Sequence, residues 1–499
     1  MNRPATLVLI ATLAATPYAA EPDANPPLQT ARNDSGDILF RTPLSEAGQS
    51  GIRVQGDRLF LTVHRKLEGP AKGGFFFNGN IVGQCFDKNT GRRLWEVELP
   101  GTHAGRVLES WHDSTSLVPA ADDKHVIFQN LNGCLACCSH DGHLIWKRTW
   151  QAPDPDIKNA RMFLEDGQLI VAMVSDKIAV PKSQRHPALP FYQLHSIDLK
   201  TGHDNWVSPT LITHATQYSI GLWTGRPVIV ASMIDLSHWQ FGQGRQGYLI
   251  SLKDGQPILT FKLPPTIPHQ KNQLCRDKFL ITVKSGRDTA FELLDPLTSK
   301  VTDRFRFNSP DLYFAWTGSR YETTPFQPQF TDRILRNKGQ PTPSTVHVVG
   351  DRIFFWRYDT AAIGCIDTTT GKSVLVQVPV QKLNSGTAWT RQGFQFTRGI
   401  RNSTGKNINN RVGSVRGIQR GGFGHTNPAW PVVSDTHIHW QGGAGLLYRI
   451  DLAGDFSPER ISWTSIDGTG EHWTFGQPAV IGDTIYVRSQ KELVKLRWK

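Results

Sequence analysis

Short runs of apolar residues recur along the whole chain, and each run follows residues that are typical of tight turns. Glycine or aspartate lies just before each run, and this pattern favours β-strands that begin directly after a turn. The runs lie at 56–61, 123–128, 166–171, 277–281, 350–355 and 482–487. Their regular recurrence indicates a protein that is built from repeated strands.

A second pattern accompanies these strands. It consists of an apolar run, often with an aspartate, then a Thr-Gly or Asp-Gly turn, and then a short apolar or aromatic run. Glycine supplies the left-handed backbone conformation that such a turn needs between two strands. The aromatic residue after the turn, as in Trp95, Trp146, Trp206 and Phe305, begins the next strand. The pattern is found at 83–99, 134–150, 194–206, 247–261, 292–305, 363–375 and 446–454.

Together the two patterns predict a blade of four antiparallel strands, with an inner strand added before the first run. Eight repeats can be counted, including a last one at about 477–498. No segment of useful length has the period of a helix, which argues against a helical repeat protein. The sequence therefore predicts an all-β fold, a single eight-bladed β-propeller. The repeats are long for blades, so we expect loop insertions at about 308–344 and 381–429.

The two ends of the chain complement each other. The last repeat ends at 493–496 without an outer strand, whereas 36–44 aligns with the outer strand at 91–99. Pairing of the N-terminal and C-terminal strands would close the ring and remove a free sheet edge. The same alignment places tryptophans at one repeat position, where we expect Trp95, Trp146 and Trp206 to be buried between neighbouring blades and not to line a pocket.

The first twenty residues have the pattern of a secretory signal peptide. An arginine is followed by an apolar run over 5–15 and by small residues at Ala19 and Ala20. The run is too short to span a membrane as a mature helix, and a lipobox cysteine is absent. We therefore divide the chain into a signal peptide (1–20), a flexible lead (21–35) and the propeller (36–499). We expect an exported, soluble protein, periplasmic or secreted, that does not span a membrane.

Composition narrows the protein class further. With 38% hydrophobic residues, the chain is neither a polytopic membrane protein nor a disordered polar chain. Its six cysteines are too few for disulfides to hold together a fold of 499 residues, which excludes a small disulfide-rich scaffold. The formal net charge is +12. We do not expect nucleic acid as a partner of an exported propeller, so this charge points to another anionic partner.

The turn and the tryptophan resemble the repeat of PQQ-like β-propellers, whose consensus is Ala-x-Asp-x-x-Thr-Gly-x-x-x-Trp. Residues 85–95 match it with cysteine in place of alanine, and 196–206 are equally similar. The family includes quinoprotein dehydrogenases and outer-membrane assembly lipoproteins, so the resemblance implies the fold and leaves several functions open.

The cysteines are interpreted as structural. Cys85 and Cys365 occupy the repeat position of a small buried alanine. Cys134 and Cys137 lie on one strand at a spacing that points their side chains to opposite faces, which disfavours a shared metal. Cys137 and Cys138 could form a vicinal disulfide, and the resemblance implies that such a ring contacts the cofactor in quinoprotein dehydrogenases. Here the pair lies inside a regular repeat, which weakens the parallel.

Charge and aromatic residues concentrate in the two insertions. From 368 to 434 the chain contains nine basic residues and no acidic one, and the insertion at 308–344 is rich in aromatic residues. Both insertions join an outer strand to the next inner strand, so they would share one face on neighbouring blades. A cationic loop beside an aromatic one suits an anionic or sugar-like ligand. The alternative is a solvated basic loop and an aromatic lid packed on the blades.

Three histidines precede inner strands at a similar register. His112, His425 and His472 would therefore lie near the central funnel, where an imidazole could bind metal or transfer protons. The alternative is that they hydrogen-bond across blades. The candidate ligand-binding residues are Trp111, His112, Trp316, Arg398, Arg401, Arg411, Arg416, Arg420, His425, His472 and Trp473.

Three functions are compatible with these features. The first is an exported, non-catalytic propeller that binds an envelope protein or an anionic or polyhydroxylated ligand on its loop face, without a cofactor. The second is a PQQ-dependent alcohol or sugar dehydrogenase with PQQ and Ca²⁺, which the resemblance implies. For that function the glutamate, asparagine, aspartate and stacking tryptophan of the family could not be aligned to positions in this chain. The third is a cell-envelope assembly scaffold. We place the non-catalytic propeller first and assign no catalytic or metal-binding residue.

Overall fold

The computed structural model places the chain in eight four-stranded blades around a ring. It describes residues 36–46, 48, 50–68, 79–99, 117–130, 134–149, 162–178, 190–212, 218–233, 245–264, 272–285, 288–317, 320–326, 344–357, 362–378, 387–390, 393–396, 430–442, 446–466, 476–489 and 492–499. Within these ranges the regular structure is β-strand, apart from a short 3-10 turn at Pro458–Arg460. The predicted all-β, eight-bladed propeller is thus confirmed.

The first four blades follow one another along the chain, and each is an antiparallel sheet in sequence order. Blade 1 contains β2 (Arg53–Gln55), β3 (Arg58–Lys66), β4 (Gly79–Asp87) and β5 (Arg93–Leu99). Blade 2 contains β6 (Ala120–Ala121), β7 (His125–Asn130), β8 (Cys134–Ser139) and β9 (Leu144–Thr149). Blade 3 contains β10 (Met162–Glu165), β11 (Gln168–Ile178), β12 (Pro190–Asp198) and β13 (Asp204–Ile212). Blade 4 contains β14 (Tyr218–Trp223), β15 (Arg226–Met233), β16 (Gln246–Ser251) and β17 (Pro257–Lys262).

The other four blades continue the ring, with additions at blade 6 and closure at blade 8. Blade 5 contains β18 (Gln273–Cys275), β19 (Lys278–Ser285), β20 (Asp288–Asp295) and β21 (Lys300–Arg306). Blade 6 contains β24 (Ser344–Val349), β25 (Arg352–Arg357), β26 (Ala362–Asp367) and β27 (Ser373–Gln377), and it is extended by β22 (Leu312–Trp316) and β23 (Tyr321–Thr323). A separate hairpin of β28 (Thr387–Thr390) and β29 (Gly393–Phe396) follows. Blade 7 contains β30 (Val432–Val433), β31 (His437–Gln441), β32 (Leu446–Asp451) and β33 (Ile461–Ser465). Blade 8 contains β34 (Ala479–Ile481), β35 (Thr484–Arg488), β36 (Glu492–Trp498) and β1 (Gly36–Pro43).

Aspartate and glycine close the turn between the third and fourth strands of a blade. In blade 1 the carboxylate of Asp87 accepts hydrogen bonds from the backbone N–H of Asn89 at 3.0 Å and of Thr90 at 2.7 Å. Gly91 then adopts φ +71°, a conformation that favours glycine. Blades 3 and 6 repeat this arrangement. The Asp-x-x-Thr-Gly pattern of the sequence therefore supplies the hydrogen bonds and the backbone conformation of this turn.

Tryptophan side chains join neighbouring blades. The indole N–H of Trp95 donates to the carbonyl of His140 in blade 2 at 2.7 Å. A Cβ on Gly142 would lie 2.8 Å from the Trp95 ring, so glycine is needed for this close approach. The same contact joins Trp146 to Leu199 O (2.7 Å) and Gly202, and Trp206 to Leu252 O (3.2 Å) and Gly255. The predicted position of these three tryptophans between blades is confirmed. Their predicted burial holds for Trp146, whereas Trp95 and Trp206 are half-buried.

The N-terminal strand closes the ring, as the alignment of the two chain ends predicted. Strand β1 pairs antiparallel with β36, from Gly36 opposite Trp498 to Pro43 opposite Glu492. Phe40, at the position of Trp95 in the alignment, approaches Gly91 of blade 1. The N-terminal strand is therefore both the outer strand of blade 8 and its contact with blade 1.

The hydrophobic core lies between the blades, where the apolar faces of neighbouring sheets meet. In blade 2, for example, Val126 and Phe128 face blade 1, while Ile127 faces blade 3. This alternation follows from the two-residue period of a strand. Each blade is thus covered on both faces, which makes the ring a stable frame for its connecting segments.

Candidate functional site

The ring has two faces of different character. Because the strands of a blade are antiparallel, the turns after the first and third strands lie on one face, which we name the turn face. The turns after second strands and the connections between blades lie on the opposite face, the link face. The connection from Gln377 to Val432 and that from Arg306 to Ser344 both belong to the link face. The two predicted insertions are therefore connections of the same type on neighbouring blades.

Most predicted site residues lie outside the described residues. These are Trp111, His112, Arg398, Arg401, Arg411, Arg416, Arg420, His425, His472 and Trp473. Their assignment to ligand binding stays a prediction. The strands that flank their segments are described, and they place the ends of each segment on the link face.

Trp316 is the one predicted site residue that the structure describes. It ends β22, which pairs in parallel with β27 at the outer edge of blade 6. Its ring contacts Tyr321, with centroids 4.9 Å apart, and Trp463 of blade 7, with centroids 5.6 Å apart. The aromatic insertion therefore packs along the rim of the ring over its described residues, 308–317 and 320–326. Sequence periodicity does not reveal a parallel strand added from a connection.

A buried arginine holds the start of this insertion. Arg357, which is 3% exposed, donates to the carbonyl of Phe307 at 3.1 Å and to Asn308 Oδ1 at 2.7 Å. Its guanidinium also lies 4.6 Å from the ring centroid of Phe326, close enough for a cation–π contact. The connection between blades 5 and 6 is thus fixed to the second strand of blade 6.

Another buried arginine joins the blades on either side of the closure. Arg488, at the end of β35, donates to Ser50 Oγ at 3.0 Å and to the carbonyl of Thr62 in blade 1 at 2.8 Å. Its own carbonyl accepts from the Gln441 side chain of blade 7 at 2.9 Å. These polar residues lie where the second strands reach the link face. The sequence signal was a polar residue after an apolar run, which resembles an ordinary strand end.

The cysteines are buried free thiols. Cys138 lies in the core between blades 1 and 2, whereas Cys137 lies in the core between blades 2 and 3. Burial raises the pKa of the Cys137 thiol to about 12 and that of Cys138 to about 11. Side chains that enter two separate cores do not fit the role of a disulfide ring against a cofactor. Cys134 and Cys137 likewise lie on opposite faces of the blade, as predicted.

Within the described ranges, no three metal-ligating side chains come together as a metal site. Among the same residues, no helix is long and apolar enough to cross a membrane.

Part of the repeat region matches a known family model. Residues 78–230 match a family model described as outer membrane protein assembly factor BamB. No curated protein sequence matches the chain significantly. The family match and the eight-bladed fold confirm the resemblance to PQQ-like β-propellers.

Solved structures that the comparison matches to this chain have different functions. Quinohemoprotein alcohol dehydrogenase from Comamonas testosteroni is 10% identical, with a TM-score of 0.50 over 94% of this chain and 77% of that one. A europium-containing methanol dehydrogenase is 9% identical, with a TM-score of 0.48 and 94% of each chain covered. BamB from Moraxella catarrhalis is 12% identical, with a TM-score of 0.34 over 93% of this chain and 99% of that one. Identities this low concern the fold and leave the activity open.

Proposed function

We propose that this PQQ-like β-propeller is an exported, non-catalytic binding protein, and that its link face binds an anionic, sugar-like ligand. The observation that carries the proposal is the connection between Gln377 and Val432, which contains most of the positive charge excess. Between 368 and 434 there are nine basic residues and no acidic one, in a protein of net charge +12. Both ends of the connection lie on the link face.

Charge of one sign on one face attracts ligands of the opposite sign and orients their approach. Arginine is suited to this task because its planar guanidinium donates paired hydrogen bonds to carboxylate, sulfate or phosphate groups. In the proposal these donors are Arg398, Arg401, Arg411, Arg416 and Arg420. One basic residue of the stretch has another position: Lys372 lies on the turn face, in the turn before β27.

Aromatic and imidazole side chains complete the proposed surface. Trp111 and Trp473 would stack on sugar rings, and His112, His425 and His472 would donate hydrogen bonds to them. Trp316 would act as an anchor, because it holds the neighbouring connection against the rim of blades 6 and 7. The proposal needs no bound cofactor.

Heparin, a sulfated polysaccharide, is a suitable probe of this face. Deletion of 398–422 removes six of the basic residues and none of the strands that form the blades. We expect the deleted protein to keep its melting temperature and to elute from immobilised heparin at much lower salt than the wild type.

A charge-matched control separates the link face from the overall charge. It replaces six exposed basic residues away from the link face by glutamine: Arg92, Lys124, Lys147, Lys200, Lys253 and Lys300. We expect this variant to elute close to the wild type. Equal weakening by the deletion and by the control would refute a localised site.

A second candidate function is a scaffold role in envelope assembly. The match of 78–230 to the assembly-factor family supports a protein partner in the envelope. In that case, photo-crosslinks from a probe at position 401 would join the protein to one defined envelope protein, whereas a probe at position 253 on the turn face would not.

The competing dehydrogenase hypothesis makes a separate prediction. Addition of PQQ and Ca²⁺ would change the absorption spectrum of the purified protein and produce dye-linked alcohol oxidation. The proposed binding function predicts neither change.

A further inference from the structure

A cavity of about 900 Å³ opens on the turn face between blades 6 and 7. It lies on the opposite side of the ring from the link face, because the turns after first and third strands line it. Its floor is apolar and includes Val374, Cys365, Leu452 and Phe456. Cavities of this size bind organic ligands or side chains when their walls are apolar and their rims are polar.

The cavity lies at the position where blades 1, 2 and 3 hold the side chain of a tryptophan. In blade 1, Trp95 pairs with Cys85, and its ring fills the gap to blade 2. The corresponding pair in blade 6 is Val374 with Cys365. In blade 1 the pairing of β4 with β5 has a bulge next to Cys85, whereas β26 and β27 pair without a bulge. The residue equivalent to Trp95 is therefore Val374, which comes one position earlier after the turn glycine. A valine therefore occupies the place of an indole.

An arginine replaces the hydrogen bond of the missing indole without filling its space. The carbonyl of Leu452 corresponds to that of Leu199 in blade 3, which accepts from Trp146 of blade 2. In blade 7 it accepts from Arg352, whose guanidinium also donates to the carbonyl of Gly454 at 3.0 Å. Phe456 of blade 7 packs on Phe354, with ring centroids 5.7 Å apart, much as Trp95 packs on Phe60 in blade 1. Blades 6 and 7 thus remain joined at the turn face, and the cavity lies beside Phe456.

The rim of the cavity is acidic although the protein as a whole is basic. Five aspartates line it together with two basic residues, Arg352 and Lys372. Hydrogen bonds from Thr369 and Thr370 lower the pKa of Asp367 to about 2, so this carboxylate is ionised at neutral pH. The aspartates are Asp351, Asp367, Asp435, Asp451 and Asp455. Three of them already face a basic side chain, namely Asp351 with Arg276, Asp451 with Arg460 and Asp455 with Lys372. Asp367 and Asp435 would therefore contribute most of the attraction for a cationic group at this rim.

We propose that this cavity binds a peptide segment of a partner protein, in which a tryptophan or phenylalanine is flanked by lysine or arginine. The aromatic side chain would enter the cavity and pack beside Val374 and Phe456. The basic neighbours would face the aspartates of the rim. Such a buried aromatic anchor with a polar surround is a common arrangement of binding hot spots. The site is independent of the anionic ligand proposed for the link face.

The test uses the full-length protein and three synthetic peptides. These are acetyl-KRWRK-amide, its alanine analogue acetyl-KRARK-amide, and the acidic analogue acetyl-EEWEE-amide. In calorimetric titrations we expect the first to bind about tenfold or more tightly than either of the others. Equal affinity of the alanine peptide would overturn the aromatic anchor, and equal affinity of the acidic peptide would overturn the role of the rim.

Protein variants then locate the binding. Val374→Trp places in the cavity the side chain found at this position in blades 1, 2 and 3, so it should abolish peptide binding while leaving the ring folded. Val207→Trp is the matched control, because Val207 is 40% exposed on the outer strand of blade 3. Undiminished binding to Val374→Trp would overturn the proposal.

A second variant keeps the proposal testable if Val374→Trp fails to fold. Asp435→Asn with Asp455→Asn changes two exposed rim residues, so the blades should be unaffected. We expect weaker binding of acetyl-KRWRK-amide and a smaller dependence of its affinity on salt. Unchanged affinity and salt dependence would contradict the proposal. A wild-type dimer that Val374→Trp converts to a monomer would assign the cavity to a second copy of this chain and would also overturn it.

Discussion

Trp146 is a residue in which packing and hydrogen bonding between blades can be separated. Its side chain is 9% exposed, and its indole N–H donates to Leu199 O at 2.7 Å. Trp146→Ala leaves a cavity beside Gly202, so we expect a loss of about 3–5 kcal/mol in the free energy of unfolding. Trp146→Phe keeps part of the packing and loses the hydrogen bond, so it should cost less.

Chemical denaturation measures both variants. Val207→Ala provides a control, since this exposed side chain contributes little packing. Wild-type stability of Trp146→Ala would show that the ring does not depend on this contact.

His439 makes the ring sensitive to acid. Burial lowers the pKa of His439 to about 3 from the ordinary histidine value of about 6.5, and the nearby His437 and Arg449 lower it further. The unfolded chain binds a proton here below pH 6.5, whereas the folded chain does so only near pH 3. The stability from the neutral imidazole is therefore present above pH 6.5 and is lost progressively as the pH falls towards 3.

The measurement is the melting temperature between pH about 6.5 and 4.5, above the range where most carboxylates titrate. We expect His439→Phe to melt with a weaker dependence on pH than the wild type. His203→Gln, a change at an exposed turn residue, should keep the wild-type dependence. The same slope in His439→Phe and in the wild type would assign the acid sensitivity to other groups.

At the scale of elements, strand β1 should contribute strongly to stability. It covers the edge of β36 along its length and brings Phe40 against Gly91 of blade 1. A chain that begins after Pro43 leaves that edge unpaired and removes the aromatic contact. We expect it to lose about 3 kcal/mol or more of unfolding free energy and to aggregate through the open edge.

The matched control is a chain that begins at Gly36 and keeps β1 intact. Thermal melting and light scattering compare the two truncations. A chain without β1 that melts and scatters like the control would contradict the closure as a source of stability.

At the scale of the whole molecule, the sequence predicted the ring because its signals are local and repeated. Asp87, Thr90 and Gly91 define a turn within a few residues, and the aromatic residue that follows marks the next strand. The closure was predictable for the same reason, since Phe40 aligns with Trp95. Each of these features can be recognised without knowledge of distant contacts.

Features that depend on contacts between residues far apart in the chain were not predicted from the sequence. Strand β22 pairs in parallel with β27, although more than fifty residues separate them. The repeat pattern of the sequence contains no signal for this pairing. The cavity beside Val374 arises because β27 lacks the bulge of β5, and a bulge is not visible in composition. In the sequence, Arg488 has the pattern of a solvent-exposed residue at a strand end. In the structure it is buried, because the closure of the ring brings it against Ser50 and Thr62. The predicted site residues of the connections, Trp316 apart, lie outside the described residues, so their role rests on the sequence.

The central claim is that the link face, and in particular the connection between blades 6 and 7, binds the ligand. Hydrogen–deuterium exchange of the full-length protein, with and without a heparin oligosaccharide, tests this most directly. We predict slower exchange in peptides that cover 398–422 and the ends of neighbouring connections, with unchanged exchange in turn-face peptides such as 250–257. Protection confined to the turn face, or spread evenly over all basic segments, would contradict the account.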